Sequence, residues 1–417
     1  MSTFIFVNAS QVVTCAGPAH ARRGAAMADA APREGYAVAV RDDLIDAVGL
    51  EDDIARAYPD AEPVDCQRGL LAPGFVDSHT HAIFGRGRAA EHEMRAAGLD
   101  YMEIARRGGG IHASVRDLRA RSEDELYALA RGRLRTLAGS GVTTVEVKSG
   151  YGLTLDDELK MLRVIRRLAG DLPLRIVPTF LGAHEIPLEH RGSPRARREY
   201  INVLIDEMIP RVAADHLAVF ADVFCETHVY TVDESREILT AARGAGLHLK
   251  LHADELTSSR GAELAAELEA TSADHLAAIS DGGIAALASA RTVATLLPAT
   301  MTFLGKSAQA PARRLIDAGV AVALATDFNP GTSPTLHFPT VLTLGVSQLR
   351  LSAAEAIVGA TVNGAAALGL AASVGQIAPG FSADLALFDA EDYRELPYWF
   401  GAPLCRQSWA RGKPCDW

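Results

Sequence analysis

Eight short apolar runs recur along the chain, and each ends in a polar residue or a turn signal. Segments with the apolar spacing of helices, such as 156–169 and 233–245, separate most of these runs. Strands and helices in regular alternation require parallel strands with right-handed crossovers, and eight such units close a barrel. We therefore expect an α/β chain whose main body is a (β/α)8 TIM-like barrel. The eight runs are 74–79, 142–148, 175–181, 222–226, 247–252, 272–275, 292–297 and 321–327.

An open, doubly wound sheet is the competing topology for the same alternation. Such a sheet would place ligands at a single switch point in the strand order. It would not bring together the ends of the first, fifth and eighth runs, which carry the polar residues considered below. The barrel is therefore the preferred interpretation.

Short alternating strands lie outside this region, at both ends of the chain. They include the hairpin-like pair 36–40 and 44–48 near the N-terminus and the run 383–389 near the C-terminus. We expect these strands to form one small composite β-sandwich domain built from both termini. The predicted domain limits are 1–70 plus 371–417 for the sandwich and 71–370 for the barrel.

Histidines and one aspartate close several of the apolar runs. Residues two apart on a strand point to the same face, so His79 and His81 direct two imidazoles at one point. The fifth, sixth and eighth runs end in His252, His275 and Asp327. Taken singly, such a histidine is more often a core or surface group, and an aspartate before a turn is ordinary turn chemistry. Together, at the strand ends of one barrel, they predict a metal site, because imidazole is the commonest transition-metal ligand.

Composition limits the classes of partner. The 417-residue chain is 48% hydrophobic and 22% charged, and its formal net charge of −11 argues against nucleic acid or an anionic membrane as partner. No apolar run approaches the length of a membrane span, and the five cysteines show neither zinc nor disulfide spacing. We therefore expect a cytoplasmic protein. An anionic substrate would need a dedicated cation, and Arg86 and Arg88, flanked by glycines, are candidates.

Longer motifs carry a resemblance to a known family. The chain resembles the metal-dependent amidohydrolase superfamily and, within it, the imidazolonepropionase family. The Val76–His81 element marks only the superfamily, whereas the runs KSGYG, TFLGAH and TDFNPG are more diagnostic of the narrower family. The matching stretches cover nearly the whole predicted barrel in family order: 76–81, 148–152, 179–184, 222–226, 251–255, 272–276 and 325–331.

The resemblance implies a set of site residues and a cofactor. It implies one divalent metal ion, zinc or iron, with His79, His81, His252 and Asp327 as ligands. It places Asp327, His275 and Glu255 in the proton transfers of catalysis. The positions that would contact substrate are Arg88, Tyr101, Tyr151, His184, Glu255, Asn329, Gly331 and Thr332.

Two further residues are interpreted through the same resemblance. Lys148 lies near the position at which binuclear relatives carry a carboxylated lysine, but within KSGYG we expect no such bridge. His228 lies within the stretch 227–230, which departs from the usual family sequence, so it has no assigned role and we expect it on a surface loop. The family also suggests a homodimer.

The implied activity is hydrolysis of the ring amide of 4-imidazolone-5-propanoate, a small anionic heterocycle, to N-formimidoyl-L-glutamate. Arg88 would pair with the propanoate carboxylate of this substrate. The nearest alternative is another amidohydrolase, such as a deaminase of a heterocyclic base, which would use the same ligand set. A scaffold that kept the barrel but lost the chemistry is a further alternative, and the presence of all four ligand residues argues against it. A nucleic-acid-binding module has no basic patch to support it.

Overall fold

The computed structural model describes residues 3–99, 103 and 107–415. The chain begins with short strands that precede the barrel, and the predicted hairpin at 36–48 is among them. These strands are β1 (Thr3–Val7), β2 (Gln11–Val13), β3 (Pro32–Arg33), β4 (Tyr36–Arg41), β5 (Leu44–Leu50), β6 (Glu62–Asp65) and β7 (Leu70–Pro73).

A parallel sheet then forms the body of the molecule and confirms the predicted fold. Its neighbouring strands pair in chain order, each with the next along the sequence. β9 shows why these segments become strands, because VTTVEVK is rich in β-branched residues and buried along its whole length. The barrel strands are β8 (Phe75–Asp77), β9 (Val142–Lys148), β10 (Arg175–Ala183), β11 (Phe220–Cys225), β12 (His248–Ala253), β13 (Ser272–His275), β14 (Val293–Leu296) and β15 (Val322–Leu324).

Helices follow the barrel strands and cover the outside of the sheet. Three of them begin with reciprocal capping boxes, for example Ser122 with Glu125 and Thr231 with Glu234, which satisfy the first free N–H groups. Among the described residues the α-helices are Glu51–Ala57, Ala89–Ala96, Ile111–Arg119, Glu123–Ala138, Leu155–Asp171, Pro194–Val203, Ile209–Ala214, Val232–Gly244, Gly261–Glu267, Asp281–Ser289, Pro298–Phe303, Ala312–Asp317, Phe338–Ser347, Ala353–Ala360, Val362–Ala366 and Glu395–Tyr398.

Hydrogen bonds beyond the ends of β8 and β15 close the barrel. Thr80 and Phe328 form a parallel bridge, and the N–H of Asp327 donates to the carbonyl of His79 at 3.0 Å. The buried carboxylate of Asp77 accepts hydrogen bonds from the N–H of Thr326 at 3.0 Å and from its hydroxyl at 2.6 Å. These contacts fix the segment after β8 against the segment after β15.

Strands from both termini form the second layer of the molecule, as predicted. The last strands are β16 (Leu385–Phe388), β17 (Cys405–Ala410) and β18 (Lys413–Pro414). They pair with β7, β2 and β3 in one mixed sheet, while β5, β4, β1 and β6 form another. Phe6, Leu71 and Trp409 belong to the apolar core of this composite unit.

The exact domain limits of 1–70 plus 371–417 and 71–370 stay a prediction, and β7 spans the boundary proposed at residue 70. Within the described part of the chain, no helix combines the length and apolar character needed to cross a membrane. The homodimer and the cytoplasmic location also stay predictions.

Candidate metal centre

Four buried side chains converge at the carboxyl end of the barrel. His79 and His81 follow β8, His252 lies in β12, and Asp327 follows β15. His81 Nε2 lies 3.3 Å from His79 Nε2 and 3.4 Å from His252 Nε2. Asp327 Oδ1 lies 3.6 Å from His79 Nε2 and 3.5 Å from His81 Nε2. The structure therefore brings together the side chains that the sequence indicates as ligands.

The distances and the protonation of these groups fit a single metal ion. Ligand atoms about 2.0–2.1 Å from one ion at the tetrahedral angle are about 3.3–3.4 Å apart. Burial, followed by the charge of Lys148, lowers the pKa of His79 well below its usual value, so this ring is neutral. Lone pairs and a carboxylate oxygen that face one point repel one another unless a cation lies between them.

Two buried aspartates orient two of the imidazoles. His79 Nδ1 donates to Asp274 Oδ2 at 2.6 Å, because a carboxylate only accepts, and this leaves the lone pair on Nε2. His252 Nδ1 lies 3.0 Å from Asp222 Oδ2, although off the axis of a good hydrogen bond. The backbone N–H of His252 donates to Asp222 Oδ1 at 3.1 Å. Both Nε2 atoms are thereby turned toward the centre.

The third imidazole, His81, is oriented by stacking. Its ring lies parallel to that of His184, with 4.9 Å between centroids and 15° between planes. His184 Nδ1 donates to the carbonyl of Gly150 at 3.0 Å, which fixes the stacking partner. Burial, followed by the neighbouring His252, lowers the pKa of His184 to about 3, so this ring is also neutral.

Asp327 is held by a hydroxyl and by an unusual backbone conformation. Thr300, in the helix Pro298–Phe303, donates to Asp327 Oδ2 at 2.6 Å and leaves Oδ1 facing the histidines. The φ angle of Asp327 is +53°, which non-glycine residues rarely adopt and which is concentrated at functional sites. Burial raises the pKa of Asp327 to about 6, and a cation beside Oδ1 would favour the ionised form.

His275 and Glu255 form a second pair beside the four-residue cluster. His275 Nε2 lies 3.7 Å from Glu255 Oε2, and His275 also has a positive φ, of +79°. The His275 ring lies 5.2 Å from that of His252. Burial, followed by the charges of Asp327 and Glu226, raises the pKa of Glu255 to about 8. At neutral pH this carboxyl therefore carries a proton in the absence of a nearby cation.

Arg88 is a largely buried cation at the rim of the site. Its guanidinium lies against Gly331, where a Cβ would be only 1.5 Å from Nη2, so no side chain fits at position 331. Arg88 Nε lies 3.4 Å from Glu91 Oε2, yet it has no hydrogen-bond partner among the described residues. The backbone of Arg88 is fixed separately, because its N–H donates to Pro330 O at 3.1 Å. Arg88 and Gly331 are thus brought together as predicted contact positions.

Tyr151 joins the same group of predicted substrate positions. It is buried, and its ring lies 5.3 Å from that of His184 and 6.0 Å from that of His81. Burial raises the pKa of the Tyr151 hydroxyl above its usual value, so the hydroxyl remains a hydrogen-bond donor at neutral pH.

Of the remaining predicted contact residues, the structure describes Asn329 and Thr332 but not Tyr101. The amide of Asn329 accepts from the N–H groups of Gly331 and Thr332 and donates to the carbonyl of Asp327 at 2.7 Å. Asn329 therefore shapes the loop around Asp327, and its contact with substrate stays a prediction, as does that of Thr332. Tyr101 lies outside the described residues.

Some residues at the centre were not indicated by the sequence. Thr300 gave no signal, because a threonine in a short helix is common and its partner is 27 residues away. Lys250 could have been found, since it lies two residues before His252 on the same face of β12 and is fully buried. A lysine on the inner face of a buried strand indicates an interior ion pair.

Lys148 and His228 lie where the sequence suggested. Lys148 Nζ forms ion pairs with Glu146 Oε2 at 2.9 Å and Asp222 Oδ2 at 2.8 Å, below the histidines rather than among the converging atoms. His228 is exposed in the turn after β11 and lies at the edge of a surface cavity.

Comparisons with known proteins agree with this geometry. A model of the amidohydrolase family matches residues 70–407. The imidazolonepropionase of Solibacter usitatus is 47% identical over 402 residues, which cover 96% of each chain. That of Clostridium tetani is 48% identical over 396 residues, covering 94% of this chain and 93% of the relative.

Solved structures share the fold at lower identity. An amidohydrolase from an environmental sample of the Sargasso sea superposes with a TM-score of 0.72 at 21% identity, over 99% of this chain and 92% of that one. An adenosine deaminase from Xanthomonas campestris, with bound zinc, gives a TM-score of 0.71 at 19% identity and the same coverage. At these identities the similarity shows the fold alone.

Replacing Thr300 tests the restraint on Asp327. Thr300→Val keeps the shape of the side chain but removes the hydroxyl that holds Oδ2, so the dissociation constant for Zn²⁺ should rise roughly 10- to 100-fold. Thr302→Val is the matched control, because its hydroxyl donates to Pro298 O in the same helix and does not reach Asp327. Competition with a chromogenic chelator measures both. Equal affinities in the two variants would show that Thr300 does not restrain the ligand.

Proposed function

We propose that this chain, which belongs to the imidazolonepropionase family of amidohydrolases, hydrolyses the ring amide C–N bond of 4-imidazolone-5-propanoate to N-formimidoyl-L-glutamate. It is thus a hydrolase of histidine degradation. The observation that carries the proposal is the convergence of His79, His81, His252 and Asp327 in a chain nearly half identical to imidazolonepropionases over almost its full length. Deamination of a heterocyclic base, the alternative, is supported only by similarity of fold.

The four converging side chains are proposed as the ligands of one divalent metal ion. Such an ion, when bound, lowers the pKa of a water molecule and polarises the carbonyl of an amide. Imidazole and carboxylate ligands suit both zinc and iron. A second ion would need a bridging ligand, and Lys148 is engaged by Glu146 and Asp222 instead. These contacts support a centre with a single ion.

Asp327 is the proposed acceptor of the proton from the attacking water. Its Oδ1 faces the histidines, while Thr300 occupies Oδ2, so the carboxylate is held in one orientation. A group that takes a proton and gives it up again works best when its pKa lies near the operating pH. Burial raises the pKa of Asp327 to about 6 in the metal-free chain, and a bound cation would lower this pKa, so the fixed orientation of the carboxylate is what supports the role.

Glu255 and His275 are the proposed route by which a proton reaches the leaving ring nitrogen. Glu255 lies on the loop that leaves β12, and burial raises its pKa to about 8, which suits a proton donor. His275 Nε2, 3.7 Å away, has no hydrogen-bond partner among the residues that the structure describes. Burial lowers the pKa of His275 well below its usual value, so the proposed role of this ring is to accept a hydrogen bond from the Glu255 carboxyl and orient it.

Arg88 is the proposed anchor of the propanoate carboxylate. Its side chain is only 13% exposed, and its Nε–H has no hydrogen-bond partner among the described residues, although Glu91 lies 3.4 Å away. Arginine binds carboxylates through two parallel hydrogen bonds. Gly331 leaves the space that the guanidinium occupies. Tyr151 and His184, whose rings lie beside that of His81, are proposed to contact the ring of the substrate.

An ultraviolet assay tests the activity directly. The purified chain should consume freshly generated imidazolone propanoate well above the rate of spontaneous decay. Prolonged chelation should abolish this activity, and added Zn²⁺ or Fe²⁺ should restore it, because the donor atoms remain in place. Consumption that is equal with and without the protein would contradict the proposal, whereas turnover that survives complete metal removal would contradict the role of the ion.

Substitution of Arg88 tests how the substrate is anchored. Losing a desolvated, charge-assisted contact costs about 2–5 kcal/mol, so Arg88→Ala should lower kcat/KM by about 30- to 4,000-fold. Its metal content should equal that of the wild type. Arg86→Ala is the matched control, since Arg86 lies on the same loop but is 84% exposed at its side chain and 3.7 Å from Asp117. Steady-state kinetics in which both variants resemble the wild type would remove Arg88 from the site.

A further inference from the structure

Five charged side chains are buried inside the barrel, directly below the histidines. They come from four barrel strands, three of them adjacent, and each is at most 2% exposed. Two are ammonium groups and three are carboxylates, so burial of each charge depends on the others. They are Glu146 and Lys148 in β9, Asp222 in β11, Lys250 in β12 and Asp274 in β13.

Two of the three carboxylates, those of Asp222 and Asp274, contact the histidines. Asp274 Oδ2 accepts from His79 Nδ1 at 2.6 Å, and Asp222 Oδ2 lies 3.0 Å from His252 Nδ1. The same oxygen atoms face the lysines. Lys148 Nζ donates to Asp222 Oδ2 at 2.8 Å and lies 3.8 Å from Asp274 Oδ2.

Lys250 completes the arrangement from the neighbouring strand. Its Nζ lies 3.8 Å from Asp274 Oδ2 and 3.3 Å from Glu146 Oε2, and it donates to the carbonyl of Ser78 at 3.0 Å. Ser78 immediately precedes His79. Lys250 therefore restrains both the backbone that carries the histidine pair and the carboxylate that orients His79.

We propose that Lys148 and Lys250 are positioning residues that hold Asp222 and Asp274 so that the Nε2 atoms of His252 and His79 face one metal ion. This inference rests on the proposed ligand set. Without the ammonium groups, Asp222 loses the 2.8 Å hydrogen bond from Lys148, and Asp274 loses the two cations that lie 3.8 Å from Oδ2. Ser272 still donates to Asp274 Oδ1 at 2.6 Å, so the imidazoles lose part of their restraint. Groups that orient metal ligands from outside the coordination sphere typically contribute about 10- to 100-fold to metal affinity.

The test uses the full chain, with Zn²⁺ as the probe of affinity and Co²⁺ as the spectroscopic probe. Lys148→Met and Lys250→Met remove the ammonium groups and keep most of the side-chain length. Lys250→Gln retains a donor for the two carbonyl groups that Lys250 contacts, so it serves if the methionine variant does not fold. Lys160→Met is the matched control, because Lys160 pairs with Asp157 at 2.7 Å in a helix outside the barrel. Thermal unfolding of the metal-free proteins identifies which variants are folded.

Chelator competition should show Zn²⁺ dissociation constants about 10- to 100-fold higher for the folded Lys148 and Lys250 variants. The value for Lys160→Met should stay within twofold of the wild type. The visible absorption bands of the Co²⁺-loaded barrel variants should shift, because the imidazoles are reoriented. A change confined to stability would leave those bands in place.

Unchanged Zn²⁺ affinity and unchanged Co²⁺ bands in folded Lys148 and Lys250 variants would overturn only the positioning role of the lysines and would leave the proposed metal centre intact. A wild-type chain that binds no Zn²⁺ or Fe²⁺ would overturn the proposed metal centre as well. The two failures are therefore distinguishable in the same set of measurements.

Discussion

The centre depends on how β8 and β15 are joined at the carboxyl end of the barrel. The two strands are about 250 residues apart in sequence, and hydrogen bonds at their carboxyl ends place Asp327 beside His79 and His81. Asp77 is central to this junction, because both of its carboxylate oxygens accept from Thr326. A slip of one residue would turn Asp327 away from the histidines, since side chains alternate along a strand.

Two features that cost stability lie close to this junction, namely a buried cluster of charges and two strained backbone conformations. An ammonium or carboxylate group in a dry interior is costly unless it is paired, and each member of the buried cluster has partners of opposite charge. The positive φ angles of His275 and Asp327 add local strain at the ends of their strands. Both features cost stability, and both lie where they direct polar atoms toward one point. We interpret them as consequences of the site rather than of the fold.

Much of this architecture follows from the sequence. The eight apolar runs predicted the barrel strands, and 142–148 and 272–275 coincide with β9 and β13. The strand ends also indicated the side chains that converge, because parallel strands bring their carboxyl ends to one edge. The β-sandwich followed from short alternating runs at both termini, although β7 continues past the predicted limit at residue 70.

What the sequence does not indicate depends on contacts between distant segments. The hydroxyl of Thr300 contacts Asp327, which follows β15, and a threonine in a short helix signals no such role locally. The burial of Lys250 indicates an interior ion pair, but not which carboxylates on other strands form it. Asn329 differs, because the sequence indicates this residue but not the contacts that its side chain makes in the structure. Its amide forms hydrogen bonds within its own loop, which the motif does not indicate, and its contact with substrate stays a prediction.

X-ray absorption spectroscopy of the purified, metal-loaded chain tests the proposed metal centre most directly. The arrangement of His79, His81, His252 and Asp327 predicts one ion per chain, with three imidazole nitrogens and a carboxylate oxygen about 2.0–2.2 Å from it. A neighbouring metal at about 3.5–4 Å, or a first coordination sphere with fewer than three imidazoles, would contradict a single ion bound by these four side chains.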